Sequence, residues 1–533
     1  MSHTMKQLDA VIVGAGFAGI YMLHTARKLG LTARVFEAGD GAGGTWYWNR
    51  YPGARCDVES MQYSYQFDKD LEQEWGWTER YAAQPEILTY IDYVIDRFDL
   101  ARDMQFNTRV NAATFDEVNG HWIVETSDGE QYSSEFFLLA TGCLSSANLP
   151  DFKGKDSFDG PIYHTGEWPH AGVDFSALKV GVIGTGSSAI QSIPLIAEQA
   201  EQLTVFQRTP AFTVPVHNRP LSAVEQVEHK ANYAMHRAFA KSQPLAWDTH
   251  HNEKPATELT PQEIRAECER RWEMGGLFWY GSFADILINQ ETNDAVSDFI
   301  RGKIHEMVKD PVVADLLTPR TVFGCKRVCA DTDYYATYNR HNVRLVDISK
   351  TPIDEFTPQG VSVGGKEYAF DAIVMATGFD AMTGSLNKID IRGRNGLKLK
   401  DKWAAGPRTY LGLQSAGFPN LFIISGPGSP SVLTCMITSI EQHVEFIRDA
   451  ITHMRDNNLR FIEATREAED NWVDHVNEVA DGTLLTSCNS WYLGANVPGK
   501  PRVFMPYFGF PAYVAKCEEV VKEGYEGFAF SAA

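Results

Sequence analysis

The chain has 533 residues, of which 44% are hydrophobic and 22% charged, with a formal net charge of −21. That length is too great for a single core, and the usual domain size gives about three or four domains. The acidic balance excludes a general binder of nucleic acid or of acidic membranes, because phosphate surfaces reward basic patches.

The first readable unit is "LDAVIVGAGFAGIYMLHTARKLGLTARVFEAG". An apolar run over residues 8–13 turns at Gly14-x-Gly16-x-x-Gly19 into a predicted helix, and a second predicted strand ends at Glu37. Glycines of this spacing allow a tight turn and close approach of a pyrophosphate to a helix N-terminus. Glu37 lies 23 residues after Gly14, where a carboxylate accepts a ribose hydroxyl. This site fits FAD or NAD. Further on, "FFLLATG" (136–142) reads as a late strand returning to the same sheet.

A connector follows, "FDGPIYHTGEWPH" (158–170), too rich in Pro and Gly for a helix and too broken for a long strand. Ten residues later the dinucleotide pattern recurs as "KVGVIGTGSSAIQSIPLIAEQAEQLTVFQRTP", with Gly184, Gly186 and now Ala189 in the third place. Here Arg208, 24 residues after Gly184, closes the second strand and Thr209 follows it. An arginine at that position suits a 2′-phosphate, so the second site fits NADPH. "DAIVMATGFD" (371–380) repeats the Ala-Thr-Gly ending of the first unit. Two such domains imply hydride transfer from NADPH to a flavin.

Residues 219–324 are charge-rich and read as helical. Val296, Phe299, Ile300, Ile304, Met307 and Val308 share one stripe, as do Val444, Ile447, Ile451 and Met454 later on. Both stripes are expected to be core. No apolar run reaches the ~18 residues needed to span a bilayer, and the polar opening "MSHTMKQLD" does not read as a signal peptide. The eight cysteines form no C-x-x-C or C-x-x-x-x-C, so no dithiol centre and no metal site are expected. These features together predict a soluble, cytoplasmic protein with reduced thiols.

The connector meets the pattern F-x-G-x-x-x-H-x-x-x-W-P at Phe158, Gly160, His164, Trp168 and Pro169. A second pattern is met by "GGTWYWNRYPGARCD", with Gly44, Trp46, Tyr51, Pro52, Gly53 and Asp57 in register. On these residues the chain resembles the type I Baeyer–Villiger monooxygenases, class B flavoproteins. Later segments such as "KWAAGPRTYLGL" and "SWYLGANVPGKPRVFM" are most similar to the phenylacetone and cyclohexanone monooxygenase branch. The resemblance covers nearly the whole chain. It implies an α/β fold with two Rossmann-like dinucleotide-binding domains, a two-dinucleotide-binding flavoprotein, carrying a helical insertion.

The resemblance also implies an activity: NADPH- and O2-dependent insertion of oxygen next to a ketone carbonyl, through a C4a-peroxyflavin and a Criegee-type adduct, giving an ester or lactone. A fixed cation in a dry pocket serves the anionic oxidant and the oxyanion alike. Lys326-Arg327 in "FGCKRVCADTDYY" matches the family's pair. The resemblance then gives Arg327 to catalysis, held and tuned by Asp57, and Lys326 to the 2′-phosphate. It assigns Gly14, Gly16, Gly19, Glu37, Thr45, Trp46, Asp57, Tyr63 and Met436 to FAD, the last through its backbone. To NADP it assigns Gly184, Thr185, Gly186, Ser187, Ser188, Gln191, Arg208, Thr209, Lys326 and Trp491, the last on a mobile loop. Ser429–Met436 resembles the ketone-pocket loop, with Cys435 where the nearest branch has Asn. The 158–169 fingerprint is expected to act as a hinge, His164 and Trp168 fastening one domain to the other.

The expected order is a flavin domain (1–150 and 382–533), an NADPH domain (151–218 and 325–381) and the insertion (219–324). The expected partners are a small ketone and O2, with no nucleic acid or membrane, in a monomer or weak homo-oligomer. Competing readings are an N- or S-oxygenating relative, opposed by Trp168-Pro169 and Arg327, and a flavin disulfide reductase, opposed by the missing cysteine pair. A nucleotide-responsive sensor is the third.

Overall fold

Why two sheets form is visible in where the β-branched runs fall. The computed structural model describes residues 5–532; the first four residues of the polar opening stretch lie outside them. Strand β1 (Lys6–Val13) pairs in parallel with β2 (Ala33–Phe36), which pairs with β3 (Met104–Gln105). A meander of β4 (Val110–Asp116), β5 (His121–Thr126) and β6 (Gln131–Leu139) returns antiparallel and lays β6 parallel on the other side of β1. The second sheet holds β7 (Ile162–His164), β8 (Lys179–Ile183) and β9 (Gln202–Gln207). A short parallel ribbon joins β10 (Thr213–Pro215) to β11 (Cys329–Asp331).

Strand β12 (Val343–Asp347) extends the second sheet beside β9; a small antiparallel sheet follows from β13 (Ile353–Thr357), β14 (Gly360–Val363) and β15 (Lys366–Ala369). Strand β16 (Ala372–Met375) then enters between β8 and β7, giving the order β12-β9-β8-β16-β7. The chain goes back to the first sheet with β17 (Asp390–Arg392) on β4 and β18 (Leu421–Ile423) on β6. Two parallel nucleotide-type sheets therefore share one chain, and the first is completed only after the second is finished.

The helix Met436–Asp456 packs on the first-unit helix Phe17–Lys28, burying Val444, Ile447, Ile451 and Met454 as its spacing predicts. The insertion is helical at Ala223–Ala231, Tyr233–Ser242, Pro261–Met274, Gln290–Met307 and Pro311–Leu317. Its predicted stripe is divided between two cores. Val296 and Ile300 lie in the core of the first sheet, whereas Ile304 and Val308 join that of the second. Val308 itself falls one residue past the helix end. Among the described residues no helix is long and apolar enough to cross a membrane.

The connector differs from expectation. Its centre is strand β7, pairing Ile162–His164 with Ile373–Met375, and three residues are too few to show a period in sequence. Trp168 is buried in the second core, between Tyr163 and Phe175. The ring of His164 accepts a hydrogen bond at Nδ1 from the Gly166 N–H (3.0 Å), and burial lowers its pKa. Both side chains thus secure the connector to the second sheet, and the His164 ring also interacts with the Asn148 backbone. Further contacts link the two units: Tyr51 donates to Gln191 Oε1 (2.8 Å), and Gln191 Nε2 donates to the Arg55 carbonyl (3.1 Å).

Candidate active site

The two glycine loops are built alike, atom for atom. Gly14 N–H donates to the Phe36 carbonyl (2.8 Å) and Gly184 N–H to that of Phe206 (3.1 Å). Both glycines have positive φ, 102° and 114°. A Cβ would lie 2.6 Å from Ala140 O at Gly14 and 2.3 Å from Ala376 O at Gly184. Those carbonyls belong to the two Ala-Thr-Gly segments, so each segment closes over the glycine of its own site.

Beyond the loops the sites diverge. The Glu37 carboxylate is buried and accepts from Ala15 N–H (2.9 Å) and Gly39 N–H (2.8 Å). It fixes the glycine loop from below and sets an acceptor beside the space for a ribose. In the second site, burial and the charge of Arg208 lower the Lys326 pKa. Among the described residues neither cation has an ion pair. Two like charges held together without an anion form a receptor for a phosphate dianion, which is what a 2′-phosphate supplies. Thr185 donates to the Thr209 carbonyl (3.1 Å), Ser188 shares a hydrogen bond with Thr165 (3.0 Å), and Ser187 faces the Cys329 thiol (3.4 Å).

Arg327 stands one turn before β11, the strand that pairs with β10. Its Nε and Nη2 donate to the two carboxylate oxygens of Asp57, each at 2.9 Å, and Nη1 donates to the Val432 carbonyl at 3.0 Å. Burial opposes the guanidinium charge, yet the field of Asp57 outweighs it and raises the pKa above the ordinary arginine value. Three of its five N–H bonds are thereby used, and the Tyr492 side chain also hydrogen-bonds the guanidinium. Arg327 lines a pocket walled by Leu245, Trp247, Tyr280, Leu433, Tyr492 and Phe508, among others.

Around the first site, Trp46 opens a short helix beside Thr45 and donates from Nε1 to the Tyr63 hydroxyl (3.2 Å). Tyr63 meets Phe17 edge-on, with centroids 5.5 Å apart. Met436 is the first residue of a 21-residue helix; its N–H is one of the unpaired donors at the positive end. Gly44, just before Thr45, lies against the Gly14 loop: a Cβ on it would sit 2.9 Å from the Gly16 Cα. Trp491 starts a short turn, its ring tilted against that of Tyr492 with centroids 4.4 Å apart. Gln191, expected to face the nucleotide, is committed to Tyr51 and Arg55.

Three features escaped the sequence. Trp247 and Tyr280 come from irregular stretches of the insertion that carry no motif, and Tyr492 was masked by its neighbour Trp491. The third is a correction. Cys325 and Cys488 are joined by a disulfide across 163 positions, while the other six cysteines are free and buried. The expectation of reduced thiols rested on local spacing, and a pair assembled by the tertiary fold leaves no such signature.

A family model described as pyridine nucleotide-disulphide oxidoreductase matches residues 11–236. A Baeyer-Villiger monooxygenase of Pseudooceanicola batsensis is 43% identical, over 97% of this chain and 95% of that one. Phenazine N-monooxygenase PhzNO1 of Lysobacter antibioticus is 42% identical, over 99% and 98%. Among solved structures, an oxidised steroid monooxygenase bound to NADP is 50% identical with a TM-score of 0.95, over 99% and 100% of the two chains. A complex of OTEMO with FAD and NADP is 40% identical with a TM-score of 0.96, again over 99% and 100%. With two nucleotide sheets, a cation pair at the second site and this full-length likeness, the chain belongs to the Baeyer–Villiger monooxygenases, two-dinucleotide-binding flavoproteins.

Proposed function

We propose that the Arg327 pocket converts ketones to esters or lactones, with FAD in the first site and NADPH in the second. The net reaction is ketone + O2 + NADPH + H+ to ester + H2O + NADP+. One oxygen atom enters the C–C bond beside the carbonyl and the other leaves as water. The observation that carries this reading is the paired contact of Asp57 with Arg327 at the wall of a mostly apolar cavity.

The chemistry supplied by the bound flavin is acceptance of hydride from NADPH and activation of O2. What the chain supplies is placement and charge. Arg327 remains cationic because Asp57 holds it, so it cannot donate its proton to the anionic oxidant. Its remaining N–H capacity stabilises negative charge as it develops on the ketone oxygen, within a mostly apolar wall. Asp57 is the positioning residue: it fixes the plane of the guanidinium and limits its net field. Thr45, Trp46, Tyr63 and the Met436 N–H border the flavin. Arg208, Thr209 and Lys326 take the 2′-phosphate, while the Gly184–Ser188 turn takes the pyrophosphate. Trp491 covers the nicotinamide side.

The cavity wall suits a small neutral ketone, cyclic, aryl or aliphatic. The protein acts as a monomer or weak homo-oligomer. We take it to be cytoplasmic, where Cys325–Cys488 departs from the usual reduced state of thiols. A second reading, oxygenation of an aromatic nitrogen, is favoured by the phenazine N-monooxygenase relative alone.

The test is oxygenation of cyclohexanone under 18O2, followed by mass spectrometry of the lactone. One labelled atom is expected in the lactone ring. In Arg327→Ala, NADPH should still bleach the flavin while lactone falls by about a thousandfold. Unimpaired lactone formation in that variant would remove Arg327 from the mechanism, and N-oxide without lactone would favour the second reading.

A further inference from the structure

We propose that the indole N–H of Trp247 is a second hydrogen-bond donor to the substrate carbonyl, working opposite Arg327. This deepens the ketone reading and rests on it.

Trp247 is buried, with 3% of its surface exposed, and it lines the same cavity as Arg327. Its Nε1 is buried and has no hydrogen-bond partner. A buried N–H left without a partner is costly, so a partner that arrives with the substrate recovers that cost. Trp75, Trp77 and Trp279 also have unpartnered indole nitrogens, but none of them lines this cavity. The Arg327 guanidinium carbon lies over the Trp247 ring, 6.0 Å from its centroid. Both residues therefore line one pocket.

The backbone around Trp247 is held in place. Cys435 N–H donates to the Leu245 carbonyl (3.1 Å), Asp248 N–H to Gln62 Oε1 (2.7 Å) and Phe510 N–H to the Pro244 carbonyl (2.9 Å). Between Leu245 and Trp247, Ala246 has φ 52°, a left-handed conformation that residues with a Cβ rarely adopt. The consequence is geometric. Leu245 and Trp247 line the Arg327 pocket, while Ala246 and Asp248 line a separate one. Such local cost persists where surrounding structure imposes it, and it is concentrated at functional sites. Tyr280, whose ring meets Trp247 edge-on at 6.2 Å, already uses its hydroxyl to accept from Val328 N–H (3.2 Å).

The role has a chemical signature. Oxygenation of a ketone builds negative charge on the carbonyl oxygen, whereas oxygenation of a thioether builds none there. A donor aimed at that oxygen thus favours ketones over sulfides. Trp247→Phe keeps the aromatic ring and removes the N–H, and Trp247→His restores a ring N–H.

The experiment measures kcat/KM for cyclohexanone and for methyl phenyl sulfide in the wild type and both variants. Flavin content and NADPH-driven bleaching serve as the check on folding. Trp247→Phe should lower the ketone-to-sulfide ratio by about tenfold to a hundredfold, and Trp247→His should recover part of it. An unchanged ratio in Trp247→Phe, whether both rates fall together or neither falls, would reduce Trp247 to packing and overturn the inference. A wild type that oxygenates the sulfide and no ketone would instead overturn the ketone reading, and this inference with it.

Discussion

The two nucleotide sites use one backbone device and end it with opposite charges. In the first, Glu37 is buried, with one oxygen bonded to the glycine loop at Ala15 and the other to Gly39 just after it. In the second, Arg208 and Lys326 repel one another and have no carboxylate partner among the described residues. The first site is complete before its nucleotide arrives, and the second is completed by it. That contrast matches the different duties of the two nucleotides: one stays through every turnover and the other must leave after giving its hydride.

The strongest way to break the comparison is at the third glycine. A Cβ on Gly19 would sit 1.8 Å from the Gly14 carbonyl, yet the second site tolerates the buried Ala189 in that place. Gly19→Ala should yield protein without retained FAD, read from the ratio of flavin to protein absorbance; normal loading would show that the first loop can shift. Arg208→Ala should raise KM for NADPH by about tenfold to a hundredfold while leaving NADH little changed, as loss of one charged phosphate contact predicts. Equal losses with both nucleotides would mean that Arg208 does not reach the 2′-phosphate.

A smaller effect comes from pH. On the proposed reading Lys326 binds phosphate as a cation, and burial with the charge of Arg208 puts its pKa in the free protein below the usual lysine value. Affinity for NADPH should therefore decline as pH rises through that lowered pKa, sooner than for an ordinary lysine. Affinity for NADH should decline less, and parallel titrations of the two KM values would expose the difference. The smallest change is expected in Cys488→Ser, with a drop in thermal midpoint of a few degrees. An unchanged midpoint would show that the bond adds nothing to stability.

Much of this was legible because it depends on fixed offsets. Glu37 and Arg208 are found by counting from Gly14 and Gly184, and the Ala-Thr-Gly segments announce the carbonyls that close each loop. The pairing of Asp57 with Arg327 came through family likeness, since 270 positions separate them. Other features had no local trace. Strand β7 is too short to show alternation, and its pairing depends on β16, more than two hundred residues later. Trp247 gains its meaning from a left-handed Ala246 and from backbone bonds to Gln62, Cys435 and Phe510, none of which has a spacing. The cysteine pair is the plainest case, because proximity in space was read as absence in sequence.

The disulfide also fixes how the pocket wall can move. Residues 488–500 form a strap clipped at both ends: Cys488 to Cys325, two residues from Arg327, and Lys500 to Asp380 and the Ala381 carbonyl. Tyr492, part of the pocket wall, hangs between those clips. One clip is covalent and the other is an ion pair, and midway Asn496 donates to the Phe379 carbonyl while its own carbonyl accepts from Asn148, so the wall beside the guanidinium is moored along its length.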